Sequence, residues 1–179
     1  MTQPSQQFNL EAVMEVLRRT PQTLDALLRG ISDGWLIHNE GGDSWSPYDV
    51  VGHLVHGEHK DWITRARTIL EQGETRTFDQ FDRTAMFRES KGKSIAQLLD
   101  EFALLRRDNL ALLESWNLSP ADYARKGAHP AFGPVTLAEL LSTWAVHDLS
   151  HTAQICRVMA KQYSEAVGPW KEYLPLLSK

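Results

Sequence analysis

The segment TLAELLSTWAVHDLSHTAQICRVMAKQ, residues 136–162, predicts a long helix with one apolar face. Its apolar side chains recur at the three- and four-residue spacing of an α-helix: Leu137, Leu140, Leu141, Trp144, Ile155, Val158 and Met159. Thr136 and Glu139 have the spacing of a capping box, which places the start of the helix at Leu137. Because the face is apolar near both ends of the helix, we expect other helices to cover it.

Three more segments share this helical periodicity, and the four together lie near 10–31, 47–72, 95–116 and 137–162. Their starts carry capping residues: Asn9, Ser46 before Pro47, and Ser94 with Gln97. No stretch alternates in the manner of a strand, and 117–135 is interpreted as a connection. The sequence therefore predicts an all-α protein, an up-down four-helix bundle. We expect one domain over 1–179, with a core at about 9–162 and a short tail over 163–179.

Charge and composition disfavour nucleic acids and membranes as partners. The chain has 179 residues with 19 basic and 23 acidic side chains, a net charge of -4, which gives no attraction to phosphate backbones or anionic lipids. We therefore expect no nucleic acid and no membrane among its partners, and no apolar run is long enough for a bilayer. With one cysteine and no signal-peptide pattern at the N-terminus, the sequence predicts a cytoplasmic protein.

Two of the seven histidines fall on the same face of the last helix. His147 and His151 are four residues apart, a spacing that allows both rings to bind one metal ion but also occurs in hydrogen-bonded pairs. Asp148 points into the apolar arc, where a buried carboxylate needs a cation. That cation is either a metal ion or an arginine, for which the candidates are Arg65, Arg67 and Arg106.

The second helical segment offers a third ligand but does not single it out. His53, His56, His59 and Glu58 all lie on it. Helical periodicity puts Glu58 in the main apolar arc and His59 at its border, whereas His53 lies nearly opposite. Periodicity alone thus favours His59 or Glu58.

Three motifs resemble the DinB-like, or YfiT-like, family of metal-dependent four-helix-bundle proteins. The first is Trp45-Ser46-Pro47 followed by Gly52-His53-Leu54, and the second is the run HPAFGPVTL over 129–137. The third is WAVHDLSHTAQI over 144–155, with a histidine pair and an aspartate after the first histidine. The resemblance extends over nearly the whole chain and implies a four-helix bundle.

The resemblance also implies a metal site. It assigns a divalent metal ion to His53, His147 and His151, and zinc and nickel both suit imidazole ligands. By their positions, Asp148 is a candidate for hydrogen bonding to a metal ligand and His129, in the loop before the last helix, is a candidate for binding substrate. Three neutral imidazoles leave coordination positions open, as in catalytic sites. Some relatives of this kind are thiol S-transferases that use a low-molecular-weight thiol as co-substrate, and family members often pair, so the resemblance implies a homodimer.

Three functions follow from this resemblance. The first is a metal-dependent thiol S-transferase acting on a small electrophilic substrate, in which the metal lowers the pKa of the thiol. The alternative is a non-catalytic metal-binding or stress-response protein. A second alternative is a metal-dependent hydrolase, since HDLSH over 147–151 has the histidine spacing of the zinc-protease HExxH helix with an aspartate in the glutamate's place.

Overall fold

A computed structural model of the chain describes residues 7–177, and four long helical segments dominate it. The helices are α1 Leu10–Leu28, α2 Asp33–Ile37, α3 Pro47–Lys60, α4 Trp62–Gln72, α5 Met86–Glu89, α6 Ile95–Ser115, α7 Pro120–Tyr123 and α8 Leu137–Lys161. Short 3-10 turns cover Gly73–Thr75, Gly168–Tyr173 and Pro175–Leu177. The predicted all-α, four-helix-bundle class is confirmed. Residues 1–6 and 178–179 of the predicted domain lie outside the described residues.

The long helices begin where their capping residues predict. Ser46, Ser94 and Thr136 each accept a hydrogen bond from the backbone three residues on, and the side chain at that position returns a bond to the cap. Asn9 accepts from the Ala12 backbone at the start of α1. These bonds satisfy amide groups that have no partner within the helix, so local sequence is enough to fix the starts.

The four long helical segments of the bundle run in the order up, down, down, up along the chain. Arg29 near the end of α1 binds Asp100 near the start of α6 at 2.6 Å, so α1 and α6 are antiparallel. At the start of α3, Tyr48 donates to the carbonyl of Lys93, which lies just before the start of α6. Near the end of α3, the Glu58 carbonyl accepts from Asn109 in the second half of α6. The two helices α3 and α6 are therefore parallel. Two parallel helices in succession need a long connection, and residues 73–94 return the chain from the end of α4 to the end of the bundle where α3 begins. Within 7–177, each helix is too short or too polar to cross a bilayer.

The apolar core has two parts, one toward each end of the bundle, and α1 contributes to both. One part joins α1, α4, α6 and α8 through fully buried residues such as Leu17, Ile69 and Trp144. The other joins α1, α3, α6 and α8 through Leu28, Val51, Phe102 and Ile155. Between them, the polar interior of the bundle holds the buried charged and histidine side chains.

The segment 117–135, predicted as a connection without strands, contains a β-hairpin except for its last residue, Thr136. Strands β1 Lys126–His129 and β2 Gly133–Thr136 pair antiparallel, with Gly133 at φ +72 after the turn. The Phe78 amide donates to the Ala128 carbonyl at 2.9 Å, so a distant segment supports the hairpin. Short strands rich in glycine and proline show no alternation in sequence, and this contact is tertiary, which is why the prediction of no strand was wrong.

The second predicted helix, 47–72, is divided at Asp61. Its backbone leaves the helical region at φ -106 and ψ -80, and α4 begins at the next residue. α1 ends at Leu28 rather than 31 and continues through Pro21. The division at Asp61 changes the direction of the chain beside the histidines of α3.

Candidate metal centre

Three imidazole rings from two helices meet inside the bundle. The His147 Nε2 atom lies 3.2 Å from His53 Nε2 and 3.1 Å from His151 Nε2. One ligand atom from each of the three rings falls within 4.8 Å of the others. α3 supplies His53 and α8 supplies the other two, and the antiparallel packing of these helices brings the rings together.

Two tryptophans hold the rings in place. The Trp45 ring lies 4.7 Å from His53 and stacks on His151 at 6.1 Å between centroids. The Trp62 ring meets the edge of His147 at 5.0 Å. Gly57 leaves the space that Trp62 occupies, since a Cβ there would lie 3.3 Å from the indole nitrogen. The absence of a side chain at Gly57 therefore allows the Trp62 indole to pack against α3.

Burial keeps the three rings neutral. It lowers the pKa of His53 to about 3 and that of His147 to about 2, with the neighbouring His151 adding to both shifts. Burial also lowers the pKa of His151. Neutral imidazoles have a free lone pair, which is the form that binds a metal ion.

The surroundings of the three Nδ1 atoms are compatible with metal binding through Nε2. His151 Nδ1 donates to the Gln154 side-chain oxygen at 2.8 Å, which leaves the Nε2 lone pair of that ring directed at the other two. His53 Nδ1 and His147 Nδ1 are buried without a hydrogen-bond partner in the protein. No protein contact therefore opposes the tautomer in which Nε2 is the metal ligand.

The donor set fits a small divalent ion. Nitrogen atoms bound to one tetrahedral zinc ion at 2.0–2.1 Å are about 3.3 Å apart. The two separations from His147 Nε2, 3.1 and 3.2 Å, are close to this value, and the ligand atoms of His53 and His151 lie within 4.8 Å of each other. Within 7–177, this is the one cluster of three or more potential ligand side chains. Three protein ligands leave room for a further ligand, as in catalytic rather than structural sites.

Other polar residues of the second predicted helix have separate partners. His56 is buried and contacts Glu89 at 2.7 Å through Nδ1, and His59 lies 3.2 Å from Glu101 on the surface. Glu58 is buried against Arg106. The structure therefore brings His53 into the cluster, in agreement with the family resemblance and against the helical periodicity.

Asp148 binds an arginine, the second of the two interpretations that the sequence left open. Arg106 donates to its two carboxylate oxygens at 2.6 and 3.0 Å, and also donates to Glu58 at 2.8 and 3.1 Å. Asp148 is fully buried and makes no hydrogen bond to an imidazole. Its carboxylate is thus engaged by Arg106 rather than supporting a ligand directly.

The imidazole cluster opens into a cavity of about 790 Å³. His129, at the end of β1, lines the same cavity, so the structure places it with the other three histidines. Its Nδ1 accepts from the Ala131 and Phe132 amides, which leaves the Nε2 hydrogen free to donate. The Phe132 ring stacks on it at 4.4 Å. The hairpin thus forms one wall of the cavity.

Sequence reasoning missed two charged residues of this cavity, Asp61 and Arg83. Asp61 is 8% exposed, and burial raises the pKa of its carboxyl group, while Arg65 Nε lies 2.6 Å from it. Arg83 belongs to the long connection over 73–94, which has no helical periodicity to predict its direction. No signal in the sequence places either of them, because both positions depend on how the chain turns between helices.

Residues 16–155 match the model of the DinB superfamily. The chain belongs to the DinB superfamily. Comparison with curated proteins finds no match. This DinB-superfamily chain resembles YfiT from Bacillus subtilis, described as a probable metal-dependent hydrolase with an unusual four-helix bundle topology. The two share 22% identity and a TM-score of 0.74, over 93% of this chain and 94% of that one.

A second solved structure shares the DinB-superfamily bundle less closely. TT2238, described as a four-helix bundle protein, is 21% identical with a TM-score of 0.55, over 80% of this chain and 94% of that one. At these identities, both comparisons support the fold.

Proposed function

We propose that this DinB-superfamily protein is a metal-dependent thiol S-transferase that holds zinc or nickel on His53, His147 and His151 and acts on a small electrophile. The observation that carries the proposal is the meeting of three neutral imidazoles at the wall of a large cavity. A divalent ion at this site supplies Lewis-acid chemistry, which lowers the pKa of a thiol or a water molecule.

The surroundings of the cluster favour a nucleophile that needs no separate base. Water attack requires a positioned proton acceptor, and two buried carboxylates near the cluster in sequence or in the cavity, Asp148 and Asp61, are engaged by Arg106 and Arg65. A thiolate is strongly nucleophilic once its proton is lost. In the transfer, sulfur bonds to an electrophilic carbon, the bond to the leaving group breaks with both of its electrons, and the thiol proton passes to solvent.

The cavity has the size for such a reaction. Its volume of about 790 Å³ lies within the range of small-molecule sites. Trp62 and the hairpin with His129 enclose it on two sides. A small thiol and a small electrophile fit there together, with the imidazoles on one wall.

A second candidate, metal-dependent hydrolysis, is favoured by Asp61. Its buried carboxyl group lines the same cavity and has a raised pKa, as expected for a general base. The similar protein YfiT is described as a probable metal-dependent hydrolase. An Asp61→Asn variant separates the two functions, since hydrolysis needs that carboxylate and thiol transfer does not.

The deciding experiment is an absorption spectrum of the cobalt-substituted protein with and without 2-mercaptoethanol. Thiol chemistry predicts a new sulfur-to-cobalt charge-transfer band in the wild type and none in His147→Ala. A cobalt spectrum that is unchanged by thiol would reject the transferase. If added anions also left it unchanged, the non-catalytic metal-binding function would replace it. The homodimer and the cytoplasmic location stay predictions from the sequence.

A further inference from the structure

We infer that Arg83 binds a carboxylate group of the substrate in the cavity beside the three histidines, so that the natural ligands are small organic carboxylates with an apolar body. The inference rests on the proposed function and deepens it by naming the class of substrate. It comes from the charges of the cavity, which the metal cluster by itself does not explain.

Arg83 is the charged residue of the cavity that is left without a partner among residues 7–177. Asp61 and Arg65 lie 2.6 Å apart and offset each other. The Glu139 carboxylate accepts from Thr136 in the capping box of α8. No carboxylate of the described chain pairs with the exposed Arg83 guanidinium, which remains available to an anion from solvent.

Arg83 lines the same cavity as His53, His147 and His151. The rings themselves are neutral and carry no charge to attract an anion. A carboxylate drawn to Arg83 would therefore hold the rest of its molecule beside the imidazole cluster.

A single arginine and apolar walls favour a carboxylate over a phosphate. One guanidinium can bind one carboxylate through two parallel hydrogen bonds, whereas phosphate groups are usually held by clusters of arginines. Phe78, Phe81, Phe132 and Leu140 line the cavity around the charged groups. These side chains match an apolar or aromatic body attached to the carboxylate.

The test compares two thiols that differ in one charged group, 3-mercaptopropionate and 3-mercapto-1-propanol, titrated into the cobalt-loaded protein and followed by the charge-transfer band. We expect the wild type to bind the acid about tenfold more tightly than the alcohol. Arg83→Gln should lose this preference and bind the alcohol as the wild type does. Arg107→Gln is the matched control, because Arg107 is exposed and lies outside the cavity lining.

The outcomes separate the two proposals. Equal affinity for both thiols in the wild type, or a preference that persists in Arg83→Gln, would overturn the role of Arg83 and leave the thiol chemistry standing. If neither thiol produced the band, the transferase would fail. The role of Arg83 would then be tested by measuring the affinities of benzoate and benzamide by calorimetry. The wild type should bind benzoate more tightly than benzamide, and Arg83→Gln should bind the two equally.

Discussion

Arg106 joins its own helix to three others through one buried side chain. It extends from α6 and binds Glu58 of α3, Asp148 of α8 and the Leu17 carbonyl of α1. Trp144 Nε1 and Asn109 also donate to Glu58. Because every charge has a partner, the burial of these groups is tolerated, and removal of the cation would leave two carboxylates without one.

Replacing this arginine should therefore destabilise the fold strongly. Arg106→Met retains most of the side-chain volume but leaves Glu58 and Asp148 unpaired, and we expect a loss of about 3–5 kcal/mol in the free energy of unfolding by urea. Arg107→Met, at the exposed neighbouring position, should change it by less than about 0.5 kcal/mol. Equal losses in the two variants would show that the buried network does not hold the helices together.

The histidine cluster makes a prediction that metal analysis can check. His53→Ala, His147→Ala and His151→Ala should each reduce the bound metal from about one ion per chain to near zero, because two imidazoles are a weak chelate. His56→Ala and His59→Ala should retain it, since those rings contact Glu89 and Glu101. Full metal content in His53→Ala would place the third ligand elsewhere.

At the scale of the elements, the hairpin is fitted closely against α4. A Cβ on Gly127 would lie 2.8 Å from Ile69 Cγ1 and 2.8 Å from the Phe78 ring. Gly127→Ala should therefore destabilise the protein by about 1–3 kcal/mol through overpacking, measured as a lower temperature of thermal unfolding. Gly34→Ala is the control, because nothing lies within 4 Å of a Cβ there. An unchanged melting temperature in Gly127→Ala would contradict this packing.

Helices and hairpin differ in how far their own sequence defines them. The capping residue Ser94 and its neighbours specify the start of α6 through local hydrogen bonds. β1 and β2 instead depend on the contact between Phe78 and Ala128, fifty residues apart in the chain. The same difference applies to the site, where His147 and His151 are neighbours on one helix but His53 joins them only through packing.

At the scale of the whole molecule, Glu40 ties an early loop to the end of α8. Arg157 donates two hydrogen bonds of 2.9 Å to it, and Lys161 lies 2.9 Å away. The Arg157 hydrogen bonds are the main cause of its pKa being lowered to about 2. The folded protein thus binds fewer protons than the unfolded chain, whose glutamates have a pKa of about 4.3, so the stabilisation is present above that value and is lost as the pH falls toward 2.

Glu40→Gln should reveal this dependence in urea unfolding. At pH 7 we expect it to lower the free energy of unfolding by about 1 kcal/mol, allowing for solvent screening, and at pH 3 by about half as much. Glu165→Gln, whose side chain is 94% exposed, should match the wild type at both values. If the loss in free energy of unfolding caused by Glu40→Gln were larger at pH 3 than at pH 7, the Glu40 carboxylate would not stabilise the fold through its lowered pKa.

The sequence by itself determined the four long helical segments, the starts of α1, α3, α6 and α8 and the histidine pair of α8, because capping bonds and helical periodicity act over a few neighbouring residues. Periodicity left the third ligand open and the family resemblance pointed to His53, whose ring the tertiary structure brings to the cluster. Only the tertiary structure decided that Arg106 takes Asp148 and that Asp61 and Arg83 face the same cavity. Those outcomes depend on how the helices pack and how the connections between them turn, and distances between residues far apart in the chain are set only when the core closes.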